Sequence, residues 1–376
     1  MRFGVRLLSL AATVHALTLP AGFTVGPEAD HRPMTMTRDG TVYAIAHGSD
    51  PRIRALRWTS ADPAIFAPLD VARRPRSGTY EPVVDAIAGI DATNAVVTLG
   101  QFFSGAYMGI TFEPELWAGN TATRWRLGAK CPHPEWINMH AFGADGDGVL
   151  ALTLDPSSDS PATDPSAHDD GSLPSAAVAR KQTCSILGHG IATAVRGDVV
   201  VGYLGYLDGW PAPMNINLIT QQMHALRWNG TRLKQLGNGV PFAVARNGFA
   251  AGATALPGHA TEWMYGNFVG PTGEYRFATP HAMAWDPAGH AFTLLADDAR
   301  SVAWDISDDG TIVGMEQTPK GRHYAFRWRR GRAVRLDDLP HPAGWRFESA
   351  YAIGRDGTIA GIGTYRGIAT AFRWHE

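Results

Sequence analysis

The chain has 376 residues, 45% hydrophobic and 18% charged, enough to bury a large core and incompatible with a disordered polypeptide. Its 33 basic and 35 acidic residues give a formal charge of -2, so no global field recruits nucleic acid or an anionic membrane surface. No apolar run reaches the roughly 20 residues needed to cross a bilayer, because Arg6, His15 and Pro20 interrupt the one candidate, so membrane insertion is not expected.

That candidate, VRLLSLAATVHALTLP, opens the chain and has two readings. Arg2 and Arg6 precede a short apolar run, and Val14-His15-Ala16 is an acceptable small-residue cleavage site, so a leader removed on export fits. The alternative is a strand. From about residue 30 onward the chain repeats one grammar: a strand, a tight turn, a second strand, a loop, a third strand ending in tryptophan, and a fourth strand. Residues 301–339 are the clearest copy, with AWDISDDGTIVG followed by HYAFRW and VRLDDL. Other copies follow MTMTRDGTVYAIA, ATAVRGDVVVGYLG, VARNGFAAGA and SAYAIGRDGTIAGIG, and two blurred ones include DAIAGIDATNAVVTLG and MHAFGADGDGVLAL. The turn positions are Gly40, Ala95, Gly148, Gly197, Gly248, Gly310 and Gly357, spaced at about 50 residues throughout.

Each repeated feature has a structural reason. Asp-Gly or Asn-Gly between alternating apolar runs supplies residues that tolerate positive φ, which a tight hairpin needs. Trp58, Trp117, Trp228, Trp285, Trp328 and Trp374 recur at one point of the unit, where a large ring fills space between neighbouring sheets. A four-stranded meander of this size cannot bury both faces alone, and seven of them are most simply arranged radially. The expected fold is therefore all-β, a seven-bladed β-propeller forming a single domain over residues 1–376. Its blades fall at about 30–71, 82–128, 137–187, 188–237, 240–296, 301–339 and 347–376.

The last unit stops after its third strand, at RWHE. Two N-terminal stretches copy the fourth strand of the preceding unit, Val5-Arg6-Leu7 with Leu10 and, in V-x-x-x-x-L-P, residues 13–20. The second explains more residues, so the expectation is that 13–20 complete the last blade by pairing beside Phe372 to Trp374. Cleavage after Ala16 would cut that strand in half. The tract at 155–175, rich in Ser, Pro and Asp, reads as a flexible insertion with nothing to bury. Its Asp159, Asp164, Asp169 and Asp170 lack the periodic loop of a calcium site.

The combination A-x-D-I-S-x-D-G-x-I-V-G with H-A-F-R-W resembles the bacterial HAF repeat, named for its His-Ala-Phe signature. AWDISDDGTIVG with HYAFRW carries the match, HALRW and HAMAW keep His-Ala, and ATAFRW keeps Ala-Phe. The resemblance covers the last third of the chain well and the first half loosely. It implies repeated β-units and an extracellular or periplasmic location, and it brings no activity and no catalytic residues.

In a radial arrangement, the connections from strand two to strand three and from strand four to the next blade share one face. The former are short in the last two units and long in three others: QFFSGAYMGITFEPE, YLDGWPAPMNINLITQQM and LPGHATEWMYGNFVGPTGEYRFATP. Long loops in a compact domain are more often functional than accidental. Trp136, Trp210, Trp263 and Trp345 stand outside the repeat grammar, and with Asp208, His259, Glu262 and Tyr265 they form the expected ligand-binding set. Rings beside carboxylates suit stacking on a sugar or gripping a peptide; the bland reading is that these loops pack on one another.

No nucleophile elbow, zinc-binding H-E-x-x-H, Walker loop or Rossmann glycine cluster occurs, so no catalytic residue, metal or cofactor is assigned. Cys131 and Cys184 leave one disulfide or two thiols as alternatives. The leading expectation is an exported monomeric binding scaffold for a carbohydrate or protein partner. The competing class is a secreted carbohydrate-active enzyme, a glycoside hydrolase or polysaccharide lyase on the same face, with Asp208 and Glu262 as its carboxylates.

Overall fold

A computed structural model describes residues 12–17, 19, 25, 33–46, 53–59, 66–70, 83–103, 109–118, 121–124, 137–156, 175–180, 183–204, 206–207, 210–211, 223–255, 261–264, 275–278, 280–295 and 300–376. Its architecture is an all-β propeller. Among the described residues there are seven four-stranded antiparallel sheets. In six of them the strands follow chain order, as in Arg300–Ile306, Ile312–Gln317, His323–Arg329 and Arg332–Arg335. Each sheet, or blade, packs on the next in sequence. The innermost strand of the first, Met34–Met36, packs on the innermost strand of the last, Trp345–Ile353.

The blade that contains Trp345–Ile353, Ile359–Tyr365 and Ile368–His375 takes its outer strand from the other end of the chain. Thr13–Leu17 runs antiparallel to Ile368–His375, with Thr13 opposite His375, Val14 opposite Trp374 and Leu17 opposite Ala371. Leu17 is 1% exposed and joins a core shared with Met34, Trp58, Phe242, Trp304 and Tyr351. Thr18 and Pro20, the remainder of the expected closing segment, lie outside the described residues except for Leu19 between them.

The repeat signature has a steric origin. The first and second strands of most blades are joined through a register shift, for example between Ala303 and Asp305 and between Ala192 and Ala194. In four blades the bulge pushes a carbonyl against the facing second strand, and only glycine fits there. A Cβ on Gly202, Gly252, Gly314 or Gly361 would lie 1.9, 2.0, 2.0 and 2.0 Å from the carbonyl oxygens of Ile191, Val240, Val302 and Ser349. This is the glycine of the I-V-G signature.

The recurrent tryptophans are core residues. Trp58, Trp228, Trp285 and Trp374 are fully buried, and Trp328 lies 5.8 Å from the Phe292 ring, between blades. The side chain of Trp117 lies outside the described residues, although its backbone pairs with Ala95 and Ala122. The 155–175 tract separates Val149–Pro156 from Ser175–Arg180, and its interior lies outside the described residues. Cys184 is disulfide-bonded, which the sequence left open; the chain offers one other cysteine, Cys131.

Candidate functional site

Two ends of the propeller differ in how their connections are built. At one end, the strand-two to strand-three connections of three blades are drawn out into hairpins. Asn94–Phe103 pairs with Gly109–Ala118 along its whole length, Phe103 opposite Gly109. Tyr206–Leu207 pairs with Trp210–Pro211, and Thr261–Met264 pairs with Tyr275–Ala278. The corresponding connection in the last blade is a tight turn at Arg366-Gly367.

Four of the sequence-predicted site residues have a described backbone here. Leu207 faces Trp210, Glu262 faces Phe277 and Trp263 faces Arg276 across their ladders. Trp345 opens the innermost strand of the last blade, opposite Tyr365. Trp136, Asp208, His259 and Tyr265 lie outside the described residues.

Trp345 is the one predicted ring whose packing is described, and it is not a free stacking platform. It stacks on Phe347 at 5.9 Å and 9°, meets Tyr365 at 5.1 Å, and stands edge-on to Phe372 at 6.2 Å. It is half-buried and closes the end of an aromatic cluster. Its departure from the repeat grammar reflects this packing between an inner strand and a neighbouring turn.

The opposite end carries the strand-one to strand-two turns. In three blades these use one device. Thr37, Ser307 and Gly354 accept the N–H of Gly40, Gly310 and Gly357, whose φ values are 82°, 81° and 82°. The intervening Asp39, Asp309 or Asp356 carboxylate accepts the N–H of Thr41, Thr311 or Thr358 at 3.0, 3.1 and 3.0 Å. Burial opposes ionisation of these three carboxylates, but hydrogen bonds from their own turns outweigh it and hold all three below the usual carboxylate range.

The third blade departs from this pattern, with a consequence across the molecule. There Asp145, fully buried, accepts the N–H groups of Asp147 and Val149, and its other oxygen accepts Gly197 N–H of the next blade at 2.8 Å. Asp147 is thereby released from capping. Its carboxylate takes Arg246 at 2.8 Å and Arg38 at 3.7 Å, from the fifth and first blades. Arg246 also approaches Asp308 of the sixth blade at 3.7 Å, and Arg196 of the fourth reaches the same carboxylate at 3.4 Å. The Arg246 hydrogen bond is the main influence that pulls Asp147 below the carboxylate range, and the same bond raises Arg246. Five blades thus meet in one lattice of turn side chains. Spacing identifies these turns as backbone devices only; the sequence signal for the lattice is the arginine beside the turn at Arg38, Arg196 and Arg246.

A threonine, a histidine and a carboxylate also converge at Thr358, His375 and Asp356, but in an order unsuited to nucleophilic attack. The Thr358 hydroxyl donates to Asp356 Oδ2 at 2.8 Å and meets His375 Nδ1 at 3.1 Å, so the proton is directed at the carboxylate and the imidazole is left as a donor. Thr358 is itself buried. The trio closes a turn.

No family model and no curated protein matches this sequence. Among solved structures, the chain is similar to the β-propeller domain of the trilobed protease from Pyrococcus furiosus, described as having an open velcro topology. That likeness has a TM-score of 0.53 at 8% identity and covers 93% of this chain and 94% of that one. Pyrococcus horikoshii acylaminoacyl peptidase is similar with a TM-score of 0.50 at 11% identity, over 93% of this chain. This chain matches 51% of that peptidase, about half its length. At these identities the likeness concerns the propeller fold alone.

Proposed function

We propose that this chain is an exported, non-catalytic β-propeller scaffold whose hairpin-bearing end binds a carbohydrate or protein partner. In this reading the seven sheets form one closed ring, fastened by the strand at Thr13–Leu17, and the protein works as a monomer. The observation that carries it is the asymmetry between the two ends: one is tied shut by short turns and ion pairs, while three connections at the other are built out as hairpins. Trp210 and Trp263 stand on two of those hairpins, where rings can stack on a sugar or grip a peptide.

Two further observations support export. The sequence resembles the HAF repeat in its last third, and Cys184 is held in a disulfide, a bond that persists in oxidising compartments.

The test is a glycan array, together with pull-down of proteins from the extracellular fraction of the source cells, using the full chain and a Trp210→Ala/Trp263→Ala double variant. Retention of a defined glycan or protein by the parent, lost in a double variant with unchanged melting temperature, is the expected result. Capture that is indifferent to both tryptophans would place the site elsewhere. Silence in both assays would overturn the binding reading.

A further inference from the structure

We propose that the outer edge of the sixth blade is a second docking surface, built for an extended acidic peptide segment of a protein partner. It lies away from the hairpin-bearing end and is independent of what binds there. The sheet ends with Arg332–Arg335, and among the described residues no strand pairs with its outer edge. Beside it runs a groove of about 620 Å³ whose lining includes Leu295, Phe326, Val334 and Leu339.

The stretch RWRRGRAVR places five arginines in this hairpin, and the register shows how they are used. Arg329 lies directly opposite Arg332, and Arg327 opposite Val334. Because side chains alternate along a strand, Arg327, Arg329, Arg332 and Val334 share one face. Like charges directly opposite each other on a ladder destabilise it, so this pair is a local cost. Three of the five arginines have partners that hold them in place. Arg327 bonds Glu376 at 2.7 Å, Arg329 bonds Asp309 at 3.0 Å, and Arg335 grips Glu316 through two bonds of 3.0 and 2.7 Å while covering the Tyr324 ring at 4.2 Å. Arg330 and Arg332 are exposed and make no ion pair among the described residues, although Asp338 also lines the groove. The result is a basic strip that carries two exposed guanidinium groups without an ion pair among the described residues.

A peptide fits this edge better than other anions. A free strand edge offers N–H and C=O groups at peptide spacing, so an incoming strand can add to the sheet. Carboxylates at alternate positions of that strand would then fall on the face of Arg327, Arg329 and Arg332, while the intervening apolar side chains would fall on the opposite face, with Phe326 and Ala333. The competing explanation is that arginines on an edge strand merely prevent sheets from joining edge to edge.

The experiment measures fluorescence anisotropy of a labelled peptide alternating Glu and Val against the full chain, with polygalacturonate as competitor. The expected result is saturable binding that weakens steeply with added salt and falls roughly tenfold or more in Arg332→Glu and in Arg330→Glu. Both positions are exposed, so unchanged melting curves identify variants that remain folded. Absence of binding by the parent overturns the proposal and leaves the edge-protection explanation. Binding unaffected by either substitution also overturns it. Polygalacturonate binding tighter than the peptide, with the same arginine dependence, would replace the peptide with an acidic glycan. None of these outcomes depends on Trp210 or Trp263, so failure here is distinct from failure at the hairpin-bearing end.

Discussion

Arg246 and Asp147 are 99 residues apart in the chain and 2.8 Å apart in the fold. The bond spans from the fifth blade to the third, and Asp308 and Arg38 extend it to the sixth and first. An ion-pair lattice between non-adjacent blades links the turns at this end. Isolated exposed pairs contribute little, but a network anchored by several turns resists the parting of blades.

Replacing Arg246 with alanine removes the link between Asp147 and Asp308. The expected effect is modest, a fall in melting temperature of about 2 °C in low salt that shrinks as ionic strength rises. Differential scanning fluorimetry across a salt series checks this. An equal difference at all salt concentrations would show that Arg246 acts through packing.

Acid should loosen the same end. Asp39, Asp147, Asp309 and Asp356 all have pKa values lowered from the ordinary 3.8. A carboxylate with a depressed folded pKa binds its proton more readily when unfolded. Its contribution is therefore fully present above pH 3.8 and is lost as the pH falls through the folded value. Melting temperature should hold steady down to roughly pH 4 and then drop, with a shallower drop in Asp309→Asn and Asp356→Asn.

Gly314→Ala tests the steric origin of the repeat signature. The added Cβ would meet the Val302 carbonyl oxygen at 2.0 Å and the Phe326 ring at 2.6 Å, and the backbone oxygen cannot move without breaking the bulge. A loss of about 3 kcal/mol or outright misfolding is expected. Gly310→Ala meets nothing within 4 Å and is opposed only by a φ of +81°, so it should cost about 1 kcal/mol. Urea unfolding of the two variants gives the comparison.

Leu17→Ala probes the strand contributed by the other end of the chain. Leu17 is 1% exposed in the core cluster that also holds Met34, Trp304 and Tyr351. Its truncation should cost about 2 to 3 kcal/mol, and deletion of residues 1–20 should cost more while exposing the Ile368–His375 edge to self-association. Thermal melts with light scattering report both. A deletion variant that melts like the parent would show that the segment is dispensable.

Much of this molecule was legible in its sequence because the determining interactions are local and repeated. A turn of Asp and Gly needs positive φ at one residue, a glycine faces the bulge in four blades, and a tryptophan fills the same gap in several; these requirements recur from unit to unit, so composition and spacing reveal them. The pairing of Thr13–Leu17 with Ile368–His375 could be read in the same way, since Val14 and Leu19 copy positions of the fourth strand of the preceding unit. The candidate site was legible only as a set of long connections. Their pairing into hairpins depends on ladders such as that of Glu262 with Phe277, and the fate of Trp345 depends on Phe347, Tyr365 and Phe372 meeting it from three strands. What only the tertiary structure decided is the chemistry at the propeller's ends and edges. Whether Asp147 caps its own turn or reaches Arg246, and whether Arg332 finds a carboxylate, are set by which turns and strands the packed blades bring within a few ångströms of one another. No spacing along the chain encodes those distances.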